Sequence, residues 1–277
     1  MIDTAHILLF AVMQGITELF PISSLGHGVL LTTLLHWNLN RYNPDFLPFL
    51  VVLHLGTAGA LFLFFRRDWM ALFSGVARAR GRADNPEARL FWLLVVATVP
   101  AGLLGLAFEK HLRLLFSDAG VVAAFLALNG VVLLAGDRLK HRCADRRPDT
   151  LSWGKALLIG FAQALALIPG MSRSGVTLVA GLGTGLDYAD AARFSFLMAT
   201  PIIGAAGLLE VPKLFAAHAH MSVGLVFLAG LVAGVFAYAS AWILMRYFNR
   251  HEFQALRPFA FYCVAAGLGA LGWVLLG

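Results

Sequence analysis

The sequence predicts an all-α polytopic membrane protein: six transmembrane spans plus two re-entrant helical hairpins, arranged as an inverted-topology repeat. Three observations carry this expectation. First, 60% of the 277 residues are hydrophobic and 13% are charged, against about 25% charged in an ordinary soluble domain. That density cannot coat a water-soluble globule. Second, the apolar residues gather in runs that match the roughly 20 residues needed to cross a hydrocarbon core. Third, two runs are interrupted near their middle by Pro, Gly and Ser. The 22 Phe and 6 Trp exclude a disordered chain. Two cysteines, Cys143 and Cys263, exclude a disulfide scaffold.

Residues 4–37 form two short apolar pieces broken around Pro21–Ser24. Asp3 and the lack of a basic leading segment argue against a cleaved signal peptide. Spans are expected at 47–65, 90–108 and 119–136, then at 194–211, 223–244 and 258–276. Between the two sets, residues 156–186 form two more short pieces broken around Pro169–Ser174, too short to be two spans and therefore read as a re-entrant hairpin.

The net charge of +6 is distributed as membrane topology requires, and it predicts no nucleic-acid partner. Loop 66–89 holds Arg66, Arg67, Arg78, Arg80, Arg82 and Arg89. Loop 137–155 holds Arg138, Lys140, Arg142, Arg146, Arg147 and Lys155, and loop 245–257 holds Arg246, Arg250 and Arg257. The loops at 38–46, 109–118 and 212–222 are poorer in basic residues. The first three loops are therefore expected to be cytoplasmic, which puts both termini on the non-cytoplasmic side. Trp37, Tyr42, Trp69, Trp92, Trp153, Tyr188 and Tyr247 fall near span ends, as interfacial anchors do.

Each half, approximately 1–140 and 150–277 of a single membrane domain, then contains one broken hairpin and three spans. Three is odd, so the halves are inverted relative to one another. Gln14, Pro21 and Ser23-Ser24 are echoed by Gln163, Pro169 and Ser172-Arg173-Ser174, and Phe49 and Gly59 by Phe194 and Gly204. Inverted repeats with broken helices place their half-helix N-termini near the midplane as an anion site.

Chemistry concentrates at the two breaks. In the first, Gln14 and Glu18 share a helix face, Pro21 ends that helix, Ser23 or Ser24 caps the next one, and Ser24 and His27 share a face across Gly26. An ionisable Glu18 inside an apolar segment is a functional candidate by default. In the second break, Gly170, Ser172, Ser174 and Thr177 surround Arg173, the composition of an anion cradle. Arg173 sits midway between apolar arms, too deep to snorkel. His54 lies mid-span, where lining the cavity and being a packed, hydrogen-bonded histidine are equal readings. His218 and His220 lack a third metal ligand, and Glu210 sits at a span end.

These residues resemble the undecaprenyl-diphosphate phosphatase family, also called the bacitracin-resistance protein family. The resemblance rests on an (E/Q)xxxE element followed by P-x-S-S-x-G-H, here Gln14 to His27, and on PGxSRSxxT, here Pro169 to Thr177. Phe194-Ser195-Phe196-Leu197 with Pro201, and Gln163 ahead of Pro169, add to it. It covers essentially the whole chain.

The resemblance implies a multi-pass enzyme of the bacterial inner membrane. Such an enzyme hydrolyses undecaprenyl diphosphate to undecaprenyl phosphate and inorganic phosphate, recycling the lipid carrier for peptidoglycan and other envelope polymers and conferring bacitracin resistance. It also implies a divalent cation, Mg or Ca, with Glu18 the best ligand candidate. Where many members have a first Glu this chain has Gln14, so one carboxylate is lost. Membrane lipids, and a second copy of the chain in a homodimer, are the other partners expected.

The chemistry of phosphoryl transfer then assigns expected roles. Arg173, with Ser172, Ser174 and Thr177, clamps phosphate. Ser24 is the nucleophile, and Glu18 or His27 its base. Gln14, Ser23, Gly26 and Gly170 complete the substrate site. Phosphorylation of His27 itself, and direct attack by water, are alternatives. A polyprenyl-phosphate transporter using the same phosphate site is the alternative function. The type-2 phosphatidic acid phosphatases share a K-x6-R-P spacing with Lys140 to Pro148, but the order of elements and a missing histidine after Arg173 argue against that family.

Overall fold

A computed structural model describes residues 4–35, 37, 46–115, 118–139, 147–212, 222–251 and 254–276. The regular elements among them are helical: α1 Thr4–Thr17, α2 Ser24–Leu34, α3 Phe46–Phe64, α4 Arg66–Arg78, α5 Pro86–Leu115, α6 Ala119–Leu139, α7 Trp153–Leu165, α8 Arg173–Thr184, α9 Tyr188–Glu210, α10 Val223–Arg250 and α11 Arg257–Leu276. A short 3-10 turn at Pro148–Thr150 precedes α7. Expectations that fall on Tyr42, Lys140, Arg142, Cys143, Arg146, His218 and His220 lie outside the described residues.

Five helices, α5, α6, α9, α10 and α11, are long and apolar enough to cross a membrane. A sixth candidate is α3, which meets the same test only together with α4, into which it bends by 77°. This corrects the reading of 66–89 as a plain charged loop. Residues 66–78 form an amphipathic helix that buries Trp69, Leu72 and Gly75 and exposes Met70 and Phe73. Its acidic Asp68 stands in the first turn and its basic Arg78 in the last, complementing the helix dipole. The expected start of the span at 194 also moves forward. The helix begins at Tyr188 because the Asp187 side chain caps it, accepting from the Asp190 N–H at 2.7 Å.

The short helices α1, α2, α7 and α8 have 14, 11, 13 and 12 residues. None is long enough to span alone. α1 packs on α2 and α7 on α8, so each pair turns back as a hairpin. In the first hairpin Pro21 has no N–H to continue a helix, and Ser23 adopts a left-handed φ of 66° with its Oγ accepting from Gly26 N–H at 3.2 Å. In the second, Gly170 has φ +99°, and any Cβ there would run into the Val122 carbonyl. Only glycine fits both conditions.

The hairpins are held by the spans. α1 packs on α10 and α7 on α5, while α3 pairs with α9 and α6 with α11. An exchange of halves maps each of these pairings onto another or onto itself, which is compatible with the inverted repeat. Close approach is bought by small residues: at Gly56 a Cβ would collide with the Gly230 backbone of α10. Large side chains with almost no exposure, among them Phe49, Phe194, Phe196, Leu93 and Leu126, fill the interior.

Candidate active site

The tips of the two hairpins meet. A Cβ placed on Gly26 would lie 3.2 Å from Gly170 Cα. Asn129 of α6, fully buried, ties the tips together. Its Nδ2 donates to the Pro21 carbonyl at 3.0 Å, and its Oδ1 accepts from Ser172 N–H at 3.0 Å. The Ser174 hydroxyl donates to the Phe20 carbonyl at 3.1 Å. Backbone groups orphaned at one break are thus satisfied by the other break or by α6.

Glu18 is the centre of this junction and is 7% exposed. Its Oε2 accepts from Ser24 Oγ at 2.5 Å and from Gln14 Nε2 at 2.9 Å, and lies 3.2 Å from His54 Nε2. Its Oε1 faces Arg173 Nη2 at 3.5 Å. Sequence reasoning placed Gln14 and Glu18 on one face and Arg173 in the opposing hairpin, and the structure brings all of them and Ser24 together.

His54 joins them. Its Nδ1 donates to the Leu50 carbonyl at 2.7 Å, which leaves Nε2 facing Glu18 and, at 3.1 Å, the Gln14 amide. Of its two sequence readings, the hydrogen-bonded one is observed, and its partners are residues of the junction.

Arg173 opens α8. Its Nη1 donates to the Ser195 carbonyl at 3.2 Å, and its Nε is buried without a protein partner. A guanidinium has five N–H donors, and the contact to Glu18 is long. Donors therefore remain for an anion. Gln14 Oε1 is likewise buried and unpartnered. These two orphan atoms, one donor and one acceptor, belong to the same junction.

The other residues of the expected clamp are committed to the protein. Ser172 Oγ accepts from Gly175 N–H at 3.2 Å as the cap of α8 and lies 3.1 Å from Ser174 Oγ. Thr177 Oγ1 donates to the Arg173 carbonyl at 2.7 Å and sits 2.6 Å from Ser195 Oγ. All three hydroxyls shape the turn that presents Arg173. Ser23 caps α2 in the same way.

His27 stands apart. Its Nδ1 donates to the Ser23 carbonyl at 2.8 Å, so in the neutral ring Nε2 accepts from the Tyr262 hydroxyl at 2.7 Å. The two rings are parallel at 5.6 Å. His27 therefore faces α11 rather than the Glu18 carboxylate. Asn129, Ser195 and Tyr262 were not singled out as site residues from the sequence. The signal available was a lone amide, hydroxyl or phenol within an apolar helix.

Among the described residues no group of three His, Cys, Asp or Glu is arranged to hold a metal. The residues fit a cation only as partial ligands: the Glu18 carboxylate and the orphan Gln14 Oε1 supply two oxygens, and a phosphate-bearing ligand would supply the rest, as is usual for Mg²⁺.

The fold and the site together define a multi-pass membrane protein with a buried carboxylate–serine–arginine centre between two broken hairpins. The chain matches the family described as bacitracin resistance protein BacA over residues 7–269, and it belongs to that family. It is 59% identical over 265 residues to "Undecaprenyl-diphosphatase 2" of Chromobacterium violaceum, covering 95% of this chain and 96% of the relative. It is 51% identical to "Undecaprenyl-diphosphatase" of Granulibacter bethesdensis, covering 95% and 94%. Identity to the protein of the same name from Acidiphilium cryptum is 49%, covering 97% and 96%.

Proposed function

We propose that this protein is an undecaprenyl-diphosphate phosphatase of the bacterial inner membrane. It hydrolyses undecaprenyl diphosphate to undecaprenyl phosphate and inorganic phosphate. Recycling of the carrier serves peptidoglycan synthesis, and depletion of the diphosphate form confers bacitracin resistance. Both termini lie on the non-cytoplasmic side in this reading, as the arginine-rich loops require.

The observation that carries the reaction is the 2.5 Å contact from Ser24 Oγ to Glu18, with Arg173 on the other oxygen of the same carboxylate. A serine hydroxyl is a weak nucleophile until a base takes its proton, and Glu18 is placed to do so. Ser24 Oγ attacks the terminal phosphorus, its proton passing to Glu18. The bond to the bridging oxygen breaks, and undecaprenyl phosphate leaves. Water then attacks the phosphoserine, the bond from phosphorus to Ser24 Oγ breaks, Glu18 returns its proton to Oγ, and inorganic phosphate leaves with the oxygen and protons of the water. Arg173 stabilises the equatorial oxygens in both steps. Gln14 and His54 hold Glu18 in place. A bound divalent cation, touching Glu18 and Gln14 Oε1, would add neutralising charge to the diphosphate.

Phosphate release by the purified protein in detergent tests the assignment. Arg173→Ala is expected to lower kcat/KM by about 10³-fold or more, the range for arginines that stabilise phosphoryl transfer. Ser24→Ala is expected to abolish an acid-stable, alkali-labile phosphoenzyme. Near-normal turnover of either variant refutes its role, and a trapped phosphate of the opposite stability moves the nucleophile to His27. The inverted pairing of helices favours a transporter as the second reading. A solubilised protein that binds the diphosphate lipid but releases no phosphate would establish it.

A further inference from the structure

The helix α4 and the turn after it carry charge that the centre at Glu18 does not use. Residues 66–82 hold Arg66, Arg67, Arg78, Arg80 and Arg82 against one acidic residue, Asp68. Asp68 is already paired with Arg193 of α9, and Arg78 lies 3.8 Å from Glu87. Among the described residues, no carboxylate is within ion-pair distance of Arg66, Arg67, Arg80 or Arg82. Arg66 and Arg67 also open the helix, at the end where its dipole disfavours cations. Arg80 follows the helix with a left-handed φ of 51°, uncommon for a residue other than glycine.

The helix has three faces. Trp69, Leu72 and Gly75 are buried, and a Cβ on Gly75 would run into Glu87 and Ala88 of α5. At helical spacing Arg66, Met70, Phe73 and Ala77 form a second stripe, and Arg67, Ala71, Ser74 and Arg78 a third. Both of these stripes are exposed, Met70 by 60% and Phe73 by 50%. One side therefore meets protein, one offers apolar groups and one offers polar groups. A helix lying in a bilayer surface against a protein wall needs this division.

The level of α4 is also that of a bilayer surface. The chain turns by 77° from α3 into α4, so α4 runs across the direction of α3 rather than along it. It packs on α5, which is long and apolar enough to cross a membrane and begins at Pro86, just past the turn. Trp92, early in α5, donates its indole N–H to the Gly81 carbonyl at 2.9 Å and so pins the turn that carries Arg80 and Arg82. Trp153 lies under the Arg89 guanidinium at the same end of α5. Tryptophans gather in this way where spans leave the hydrocarbon. We propose that α4 and the turn after it form a docking surface for anionic phospholipid. Met70 and Phe73 enter the edge of the hydrocarbon, and Arg66, Arg67, Arg80 and Arg82 meet headgroup phosphates. The partner is a lipid rather than a soluble anion because the apolar stripe lies beside the arginines. It is anionic rather than zwitterionic because no carboxylate of the described chain offsets these four charges. The contact is independent of the chemistry at Glu18.

Native mass spectrometry of the full chain in detergent tests the charge. The protein is titrated with phosphatidylglycerol and with phosphatidylcholine of the same acyl chains. The expected affinity for phosphatidylglycerol is about tenfold higher or more, since each arginine near a membrane surface contributes about fivefold. Arg66→Gln, Arg67→Gln, Arg80→Gln and Arg82→Gln combined are expected to lower phosphatidylglycerol affinity about tenfold or more and to leave phosphatidylcholine binding within twofold. Arg246→Gln with Arg250→Gln, two exposed arginines near the end of α10, is the control and stays within twofold for both lipids. Equal affinity of the unmodified chain for the two lipids overturns the proposal. So does an equal loss in the control, and the arginines of α4 then act only through their bulk charge.

A second measurement leaves the arginines in place. Met70→Cys and Ser74→Cys, each with Cys143→Ser, carry a nitroxide label in nanodiscs that contain phosphatidylglycerol, while Cys263 is fully buried. The label at position 70 is expected to be severalfold more accessible to oxygen, relative to a water-soluble nickel chelate, than the label at position 74. Equal or reversed accessibility shows α4 standing clear of the bilayer and overturns the proposal.

Discussion

Asn129 shows how much of the site depends on one uncharged side chain. It satisfies the Pro21 carbonyl and the Ser172 N–H, and its Nδ2 also lies 3.4 Å from Cys263 Sγ. Leucine has a similar volume and no polar atoms. Asn129→Leu therefore leaves the Ser172 N–H without its partner, at about 1–3 kcal/mol, and the Pro21 carbonyl with only the Cys263 thiol at 3.8 Å. The expected result is a lower melting temperature in detergent and a loss of phosphate release of about tenfold for each 1.4 kcal/mol by which Ser24 and Arg173 lose their alignment. Unchanged melting and turnover would show that the tips hold themselves. At this scale Glu18, Ser24 and Arg173 were legible in the sequence, because a charge or hydroxyl at a helix break in an apolar segment has few structural reasons to be there. Asn129 was not, because its partners lie 108 and 43 positions away. His54 was half legible: its depth could be read, but its partner Gln14, 40 positions away, could not.

The broken hairpins are the elements on which the chemistry rests. Their breaks were readable from Pro21, Pro169 and Gly170, since these residues act locally. The division of labour among the hydroxyls was not. Ser172, Ser174 and Thr177 have the composition of an anion cradle, yet they bond to backbone and to one another. Ser172→Ala removes the cap of α8, and caps of this kind contribute about 0.5–2 kcal/mol. Expected is a melting temperature lowered by a few degrees, with KM altered less than kcat because Arg173 is presented less rigidly. A KM raised tenfold at constant kcat would instead assign Ser172 to the substrate. The amphipathic α4 escaped the hydropathy reading for a different reason. Its arginines lower the average over any window that would reveal its apolar stripe, and helical periodicity rather than mean hydropathy is the signal that recovers it.

Across the whole molecule, the arginine-rich end is stitched separately from the site. Asp137 of α6 is 3% exposed. It accepts from the Tyr188 hydroxyl at 2.6 Å, from Leu256 N–H at 3.3 Å and from Arg257 Nε at 3.0 Å. Arg193 of α9 pairs with Asp68 of α4. Arg89 donates to the carbonyls of Asp149 and Leu151, both at 2.9 Å, and stacks on Trp153. Asp137→Ala removes one acceptor shared by α9 and α11; the half-exposed Arg257 turns to water, and each hydrogen bond lost to the charged acceptor costs about 1.5–3 kcal/mol. The expected outcome is a marked fall in melting temperature with KM for the diphosphate lipid near its original value. A selective rise in KM without loss of stability would connect this end to the substrate. The long apolar helices were legible because they depend on composition. The pairing of α1 with α10 and α7 with α5 was not, since it depends on which small residues oppose one another.

The Glu18–Arg173 contact has a consequence for any attempt to divide the molecule. The carboxylate precedes α2 and the guanidinium opens α8, 155 positions later. A polypeptide of residues 1–140 alone would carry the carboxylate without its guanidinium, and one of residues 150–277 the guanidinium without its carboxylate. Neither piece holds both charges of the centre.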